Sequence, residues 1–336
     1  MNNGTCSNTT SDKLVTEDIV LIIFLSCFPC ITIAGNILVI FTVLKRHKFR
    51  QKANVFVVSL AVTDIAVAIF VMSFSILQQF GNMSWLTLKS VCWLSFSLDV
   101  MFTSTSIFHL MCMTVDRYIA ICLPFRYHNL MCNRSVITLL IICWLLPVVI
   151  SFGLIFGEVH NIGIQETKQC SNTCSFIVNI YYAVICGVAV FYIPSAFMLV
   201  CNLKILRKVR ANRRNLCKLS KCILQQNEIL MKREVKVART IAVMLSCFFL
   251  CWLPFFVLTI VDTLMNYKAG KTTVLVITWL GYMNSTINPY LYYFLNKPPC
   301  KNSCHIKLCC LGLFCRKKRN VYVLQHLNIQ SLRHGF

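Results

Sequence analysis

Acidic residues are what this chain has least of. Its 336 residues include 11 Asp and Glu against 33 Lys and Arg, a net charge of +22. Charge of either sign is thin at 13% of residues, whereas 57% are hydrophobic and the mean hydropathy is +0.68. A soluble domain carries roughly twice that charge fraction, so a water-facing globular enzyme is a poor reading. Other absences narrow the field. The first 17 residues have no basic segment leading into a short apolar run, and do not read as a cleavable signal peptide. No internal repeat and no paired Gly/Pro-interrupted spans appear, which counts against a transporter. His109 is the one histidine inside an apolar span and has no Asp or Glu at helical spacing, so it reads as a packing residue rather than half of a catalytic pair. No soluble basic domain exists to carry nucleic acid, whatever the net charge.

What the chain does have is apolar length. Stretches of the ~20 residues needed to cross a bilayer recur at about 18–44, 53–80, 90–122, 135–157, 176–204, 235–262 and 272–295. The expectation is an all-α membrane protein, a bundle of seven transmembrane helices over 18–296. Residues 1–17 lie outside and 297–336 form a cytoplasmic tail. Asn3 and Asn8 open glycosylation sequons, which places the N-terminus outside. The basic residues agree: Lys45, Arg46, Lys48, Arg50 and Lys52 follow the first span, and Lys204 to Arg239 and Lys297 to Arg319 are dense in Lys and Arg. This is the positive-inside pattern of a plasma-membrane protein. The basic inner face also favours anionic lipid.

The scarcity of acids makes each one informative. Asp12, Glu17, Asp18, Glu158, Glu166 and Asp262 fall outside or at the outer rim, and Glu228 and Glu234 at the inner side of the sixth span. Asp116 sits near the inner membrane surface. Only Asp64 and Asp99 lie deep within spans. A charge there costs at least ~2.5 kcal/mol, so each is a functional hypothesis by default. Asp99 lies seven residues after Cys92, roughly 10 Å down a helix, at the floor of an outer vestibule. Arg117 is a further 18 residues on, five turns and ~27 Å, on the same side of that helix. No Lys or Arg lies within a span at the depth of Asp99, so its missing partner is an external ammonium, with Tyr282 holding the carboxylate meanwhile. Trp252, Phe255, Phe256, Trp279 and Tyr282 supply aromatic faces, each worth ~0.5–2 kcal/mol to a cation.

Of 21 cysteines, Cys6, Cys92, Cys170 and Cys174 fall outside, in an oxidising compartment where four allow three pairings. We expect Cys92–Cys174, stapling the second outer loop to the helix of Asp99, and Cys6–Cys170. In the tail, Cys300, Cys304, Cys309, Cys310 and Cys315 with His305 lack the paired knuckles of a zinc site. They read as palmitoylation sites on a short amphipathic eighth helix lying along the inner surface.

In order along the seven spans stand Gly35-Asn36, Leu60-Ala61-Val62-Thr63-Asp64, Asp116-Arg117-Tyr118, Trp144, Pro194, Phe248 with Cys251-Trp252-Leu253-Pro254, and Asn288-Pro289-Tyr290-Leu291-Tyr292. This succession, over residues 18 to about 297, resembles the rhodopsin-like (class A) G-protein-coupled receptors. Asp99 is similar to the amine-binding aspartate of the aminergic branch. Asn284-Ser285-Thr286-Ile287-Asn288-Pro289 and the spacing of Cys170 and Cys174 resemble the trace amine-associated receptors. Two positions depart from the pattern: Asn296-Lys297-Pro298-Pro299 replaces a Tyr-Pro-Trp-Phe run, and Asn202 stands where a tyrosine is usual.

The resemblance implies a receptor for a biogenic or trace amine, signalling to a heterotrimeric G protein, favouring the cAMP-raising class, with no enzymatic activity. Alternatives within it are a serotonin- or histamine-like receptor and, further off, a class A receptor for a non-amine ligand. An olfactory role follows from the same likeness. The implied ligand pocket comprises Asp99, Val100, Thr103, Phe176, Cys186, Trp252, Phe255, Phe256, Trp279 and Tyr282, with Asp262 at the rim. Cys186, Gly187 and Val190 stand where catecholamine receptors place serines, so catechols are disfavoured. A monoamine with an apolar body fits, as does a polyamine spanning from Asp99 to Asp262, Glu158 or Glu166. Asp64, Asn36, Ser106, Asn284 and Asn288 fall where the family surrounds an allosteric sodium ion, the one cofactor implied. The inner switch would be Asp116, Arg117, Tyr118 and Tyr292, with Glu234, five turns before Trp252, clamping Arg117. Ile107, Pro194 and Phe248 match a packing trio below the ligand. Pro124 and Phe125 would contact the G protein.

Overall fold

In lipid every backbone N–H and C=O must find its partner within the chain, and a continuous apolar segment can do that only as a helix. The computed structural model describes residues 16–45, 52–80, 88–163, 174, 177–216 and 221–296, without the side chains of 16–17, 53, 213–216, 221–238, 241 and 294–296. Asn3, Asn8, Cys6, Cys170, Glu166, Phe176, the eighth helix and tail, and the side chain of Glu234 lie outside the described residues.

Seven long helices follow one another: α1 (Thr16–Lys45), α2 (52–80), α3 (Lys89–Cys122), α4 (Asn133–Phe156), α5 (180–216), α6 (Lys221–Leu264) and α7 (Lys271–Asn296). The described residues contain no strand. Six of these helices are long and apolar enough to cross a membrane. The seventh, α7, is long enough but more polar, because Asn284, Ser285, Thr286 and Asn288 are buried on its inward face. Two ends differ from the expected spans. Helix α5 starts at Ile180, not 176, because the Asn179 side chain accepts from Tyr182 N–H at 2.7 Å and caps it there. Helix α6 starts at Lys221, not 235: its first turns carry Lys, Gln, Asn and Glu, which hydropathy does not register as a span.

Helices α2 and α5 each contain a wide π-helical segment. In α5 it spans Gly187–Tyr192, just before Pro194, whose ring lacks an N–H and would clash with a regular preceding turn. In α2 it spans Val67–Met72 with no proline; both the backbone N–H and the hydroxyl of Ser73 reach back to the Ala68 carbonyl. Neither segment was anticipated from the sequence.

Helix α3 packs against α2, α4 and α5, while α1 lies along α2 and α7, and α6 along α5 and α7. The inward stripe of α4 is Val136, Cys143, Pro147, Ser151 and Ile155; its outward stripe, Ile137, Ile141, Leu145 and Val149, is equally apolar and exposed. Such a helix, apolar all round, is built to face lipid on one side. Close approach of α1 and α7 depends on Gly35, where a Cβ would sit 3.1 Å from two carbons of Pro289. A hydroxyl pair, Thr32 and Thr286 at 2.7 Å, joins the same helices. His109 is a packing residue: its Nδ1 donates to Thr105 O and its Nε2 accepts from Ser59 Oγ, both at 2.7 Å. Trp144 Nε1 donates to the same Ser59 Oγ at 3.1 Å, so α2, α3 and α4 meet at one hydroxyl.

Candidate functional site

Asp99 sits half-buried in the outer half of α3, and Tyr282 on α7 donates its hydroxyl to Asp99 Oδ2 at 2.7 Å. No salt bridge reaches this carboxylate among the described residues. Thr103 is less available than its position implied. Its hydroxyl bonds to the backbone oxygens of Asp99 at 2.7 Å and Val100 at 3.3 Å.

Two groups of rings occupy the core, one on α5 and α6 and one on α1 and α7. Trp252 is buried, with Phe255 at 5.8 Å edge-on and Phe256 at 6.2 Å. Phe256 stacks on Phe191 of α5 at 4.4 Å, and Phe191 touches Phe248 at 5.7 Å. Trp279 meets Tyr282 at 5.8 Å and Phe28 of α1 at 6.0 Å. Ile107 and Phe248 lie in the same core. The indole N–H groups of Trp252 and Trp279 are buried and have no hydrogen-bond partner among the described residues. Gly281, which sequence reading passed over, lies directly against the Trp252 ring.

The α5 wall is formed by Tyr182 and Cys186, one turn apart, packed with Val100, Ile155 and Ile260. Tyr182 was not singled out from the sequence, although it is buried on this wall.

Above the pocket, Cys92 and Cys174 form a disulfide with Cα atoms 5.8 Å apart. Gln78 of α2 donates to Cys174 O. Two of the rim acids have partners. Asp262 Oδ1 accepts from Ala269 N–H at 2.7 Å, closing its own loop. In that loop Tyr267 donates to Val178 O at 2.8 Å, and burial together with the nearby Asp262 raises its pKa. Glu158 pairs with Lys89 at 3.2 Å, and Lys89 also lies over the Trp93 ring at 4.2 Å.

At mid-membrane, Asn288 Nδ2 donates to Asp64 Oδ2 at 3.0 Å, and Ser285 is buried on the same helix. Asp64 Oδ1, Ser106 Oγ and Asn284 Nδ2 are buried without a hydrogen-bond partner among the described residues. Asn36 Nδ2 donates to Thr32 O at 2.9 Å and Ser285 O at 3.3 Å. A cavity of ≈ 20 Å³ opens here, bounded by Asp64, Asn36, Asn288, Met113, Met244 and Tyr292 among others. That is room for one water-sized guest.

At the inner end, Arg117 pairs with its neighbour Asp116 at 3.0 Å. Asp116 is fully buried and also accepts from Tyr127 Oη at 2.9 Å. Burial and the adjacent Asp116 push the Tyr127 phenol up to about 12, so it remains a donor at any physiological pH. Tyr127 belongs to a short helical turn after Pro124–Arg126, where Phe125 is 99% exposed. Tyr118 packs on Ile121, Ile205 and Val209, with Lys204 over its ring at 5.9 Å. Asn202 is buried and bonds to Met198 O at 2.9 Å within its own helix.

Residues 35–292 match the family described as "7 transmembrane receptor (rhodopsin family)". Among similar proteins, 5-hydroxytryptamine receptor 4 of Cavia porcellus is 37% identical over 314 residues, covering 88% of this chain and 80% of its own length. Octopamine receptor beta-2R of Chilo suppressalis is 33% identical over 341 residues, covering 94% and 84%. Trace amine-associated receptor 2 of Mus musculus is 30% identical over 295 residues, covering 87% and 85%.

Proposed function

The chain belongs to the rhodopsin family of seven-transmembrane receptors, and on that premise we propose that it is a membrane receptor for a small monoamine whose ammonium pairs with Asp99. One observation carries this reading: a half-buried carboxylate with no salt bridge among the described residues, held by the hydroxyl of Tyr282, whose ring in turn meets Trp279. A desolvated carboxylate gains most from a cation that brings its own charge, and aromatic faces add to the attraction. The relatives named for serotonin, octopamine and trace amines support an amine as the ligand class.

The polyamine version is weaker. A second ammonium would need a rim acid, and Asp262 already accepts from Ala269 N–H through one oxygen while Glu158 holds Lys89; Glu166 lies outside the described residues. The α5 wall of Tyr182 and Cys186 offers a hydroxyl and a thiol and no acid, which suits an amine with an apolar body.

Signalling is a population shift. An ammonium on Asp99 favours the arrangement in which α3, α6 and α7 close around Trp252. The inner end of α6 then swings out, and Arg117 leaves Asp116 for a heterotrimeric G protein contacting Pro124 and Phe125. Ligand and partner favour the same state, so each tightens the other. By resemblance the partner is of the cyclase-stimulating class. Asp64, Asn36 and Asn288, which line the cavity, together with Ser106 and Asn284 would hold a sodium ion, which supplies a fixed positive charge when bound. The unpartnered oxygens of Asp64 and Ser106 suit a hard cation. The receptor resides in the plasma membrane with its N-terminus outside, glycosylated at Asn3 and Asn8 and palmitoylated in the tail.

The test is thermal unfolding of the purified receptor against a panel of amines and their uncharged isosteres. A ligand that binds only the folded state raises the midpoint. The reading predicts stabilisation by an amine and none by its isostere; equal effects from both would overturn it.

A further inference from the structure

Gly281 is buried on α7, one residue before the tyrosine that holds Asp99. A Cβ built there would stand 2.9 Å from Trp252 Cζ3, 3.0 Å from Cε3 and 3.2 Å from Cη2. Real Cβ atoms do not approach a ring that closely, so an alanine would force the indole to move or α6 and α7 to part. Two neighbouring rings crowd the indole. Phe255 and Phe256 flank it, and Phe256 is itself stacked on Phe191. At Gly35 the corresponding contact is with the pyrrolidine of Pro289 at 3.1 Å, a milder approach on a different helix pair.

We infer that Gly281 is a positioning residue for Trp252: the side chain missing from α7 makes the seat in which the indole rests, and that seat holds the receptor in its resting arrangement. This rests on the reading that Trp252 links the outer pocket to the inner end. Arg117 is engaged by Asp116 in the same structure, so the packing of Trp252 on Gly281 belongs to the state in which the inner arginine is held. Anything that fills the seat therefore penalises this state relative to the open one, whether or not a ligand is present. Filling it shifts the balance at the inner end of α6, more than 20 residues away along that helix, because the helix moves as a unit.

The experiment uses the full-length receptor alone, in lipid nanodiscs, so it reads independently of whether an amine is the ligand. The chain has five tryptophans, which can be replaced by 5-fluorotryptophan and resolved by fluorine NMR, with Trp252 assigned through Trp252→Phe. In Gly281→Ala the Trp252 resonance should move while that of Trp144 does not. Deuterium uptake in the inner half of α6 should rise by about threefold or more, reporting local opening. Combining Gly281→Ala with Trp252→Phe, which removes the clashing ring atoms, should return uptake to the level of Trp252→Phe alone. An unmoved Trp252 resonance overturns the inference, and so does a moved resonance with unchanged uptake. If Gly281→Ala does not fold, the double variant decides: its recovery supports the inference and its failure to fold overturns it.

Discussion

Tyr282 and Asp99 are joined across 2.7 Å, hydroxyl to carboxylate, and this bond ties α7 to α3 at the depth of the proposed pocket. The bond keeps a desolvated acid oriented while it waits for a cation. Loss of one such hydrogen bond to a charged group costs about 1.5–3 kcal/mol when the acceptor stays buried. Tyr282→Phe should therefore weaken amine potency by about tenfold, through misorientation of Asp99, with surface expression retained. A radioligand or cAMP concentration curve measures it. A variant indistinguishable from wild type would mean that Tyr282 does not orient the carboxylate in the bound state.

Tyr127 restrains the inner end through Asp116. Tyr127→Phe removes a bond of 2.9 Å while leaving the Asp116–Arg117 pair in place, so ligand-independent signalling should rise modestly, by about two- to fivefold. The raised phenol pKa fixes the sign of any pH effect. Its stabilising donor form is fully present below the ordinary tyrosine value near 10 and is lost only as pH climbs through about 12. Basal signalling should show no contribution from this group between about pH 6 and pH 9. A titration in that window that vanishes in Tyr127→Phe would contradict the assignment.

Asp262 separates the two ligand classes. Its carboxylate is used by Ala269 N–H, so Asp262→Lys should leave monoamine potency within about threefold, the residual change coming from screened rim electrostatics. A tenfold or larger loss confined to polyamines would restore the longer ligand.

Sodium is the fourth variable. With Asp64 as anchor, replacing Na+ by K+ at constant ionic strength should raise agonist affinity by about fivefold or more, because the ion selects the resting state. Asp64→Asn should abolish the difference. Equal affinities in the two salts for wild type would remove the ion from the account.

The helices themselves were readable from the sequence because apolar length is a local property. Helix α7 is the least apolar of the seven over a membrane-spanning length, and the structure buries its Asn284, Ser285 and Asn288. The inner turns of α6 were not readable, since a basic helix outside the bilayer has no hydropathy signal. Nor was the pairing of Arg117 with Asp116. Side chains at adjacent helical positions normally diverge, yet the long guanidinium of Arg117 folds back on Asp116; the expected partner Glu234 has its side chain outside the described residues. Rim acids looked free in sequence because backbone donors such as Ala269 N–H leave no trace there. The contact of Gly281 with Trp252 depends on the register of α7 against α6, which no spacing within either helix encodes.

The most direct measurement is an amine screen in cells carrying a cAMP reporter, comparing wild type with Asp99→Ala at matched surface expression. The account predicts that an amine activates the wild type and that this response is lost, by at least about a hundredfold in potency, in the variant, since a desolvated ion pair with a bound ammonium is removed. An amine response of undiminished potency in Asp99→Ala would place the ammonium elsewhere and contradict the central claim.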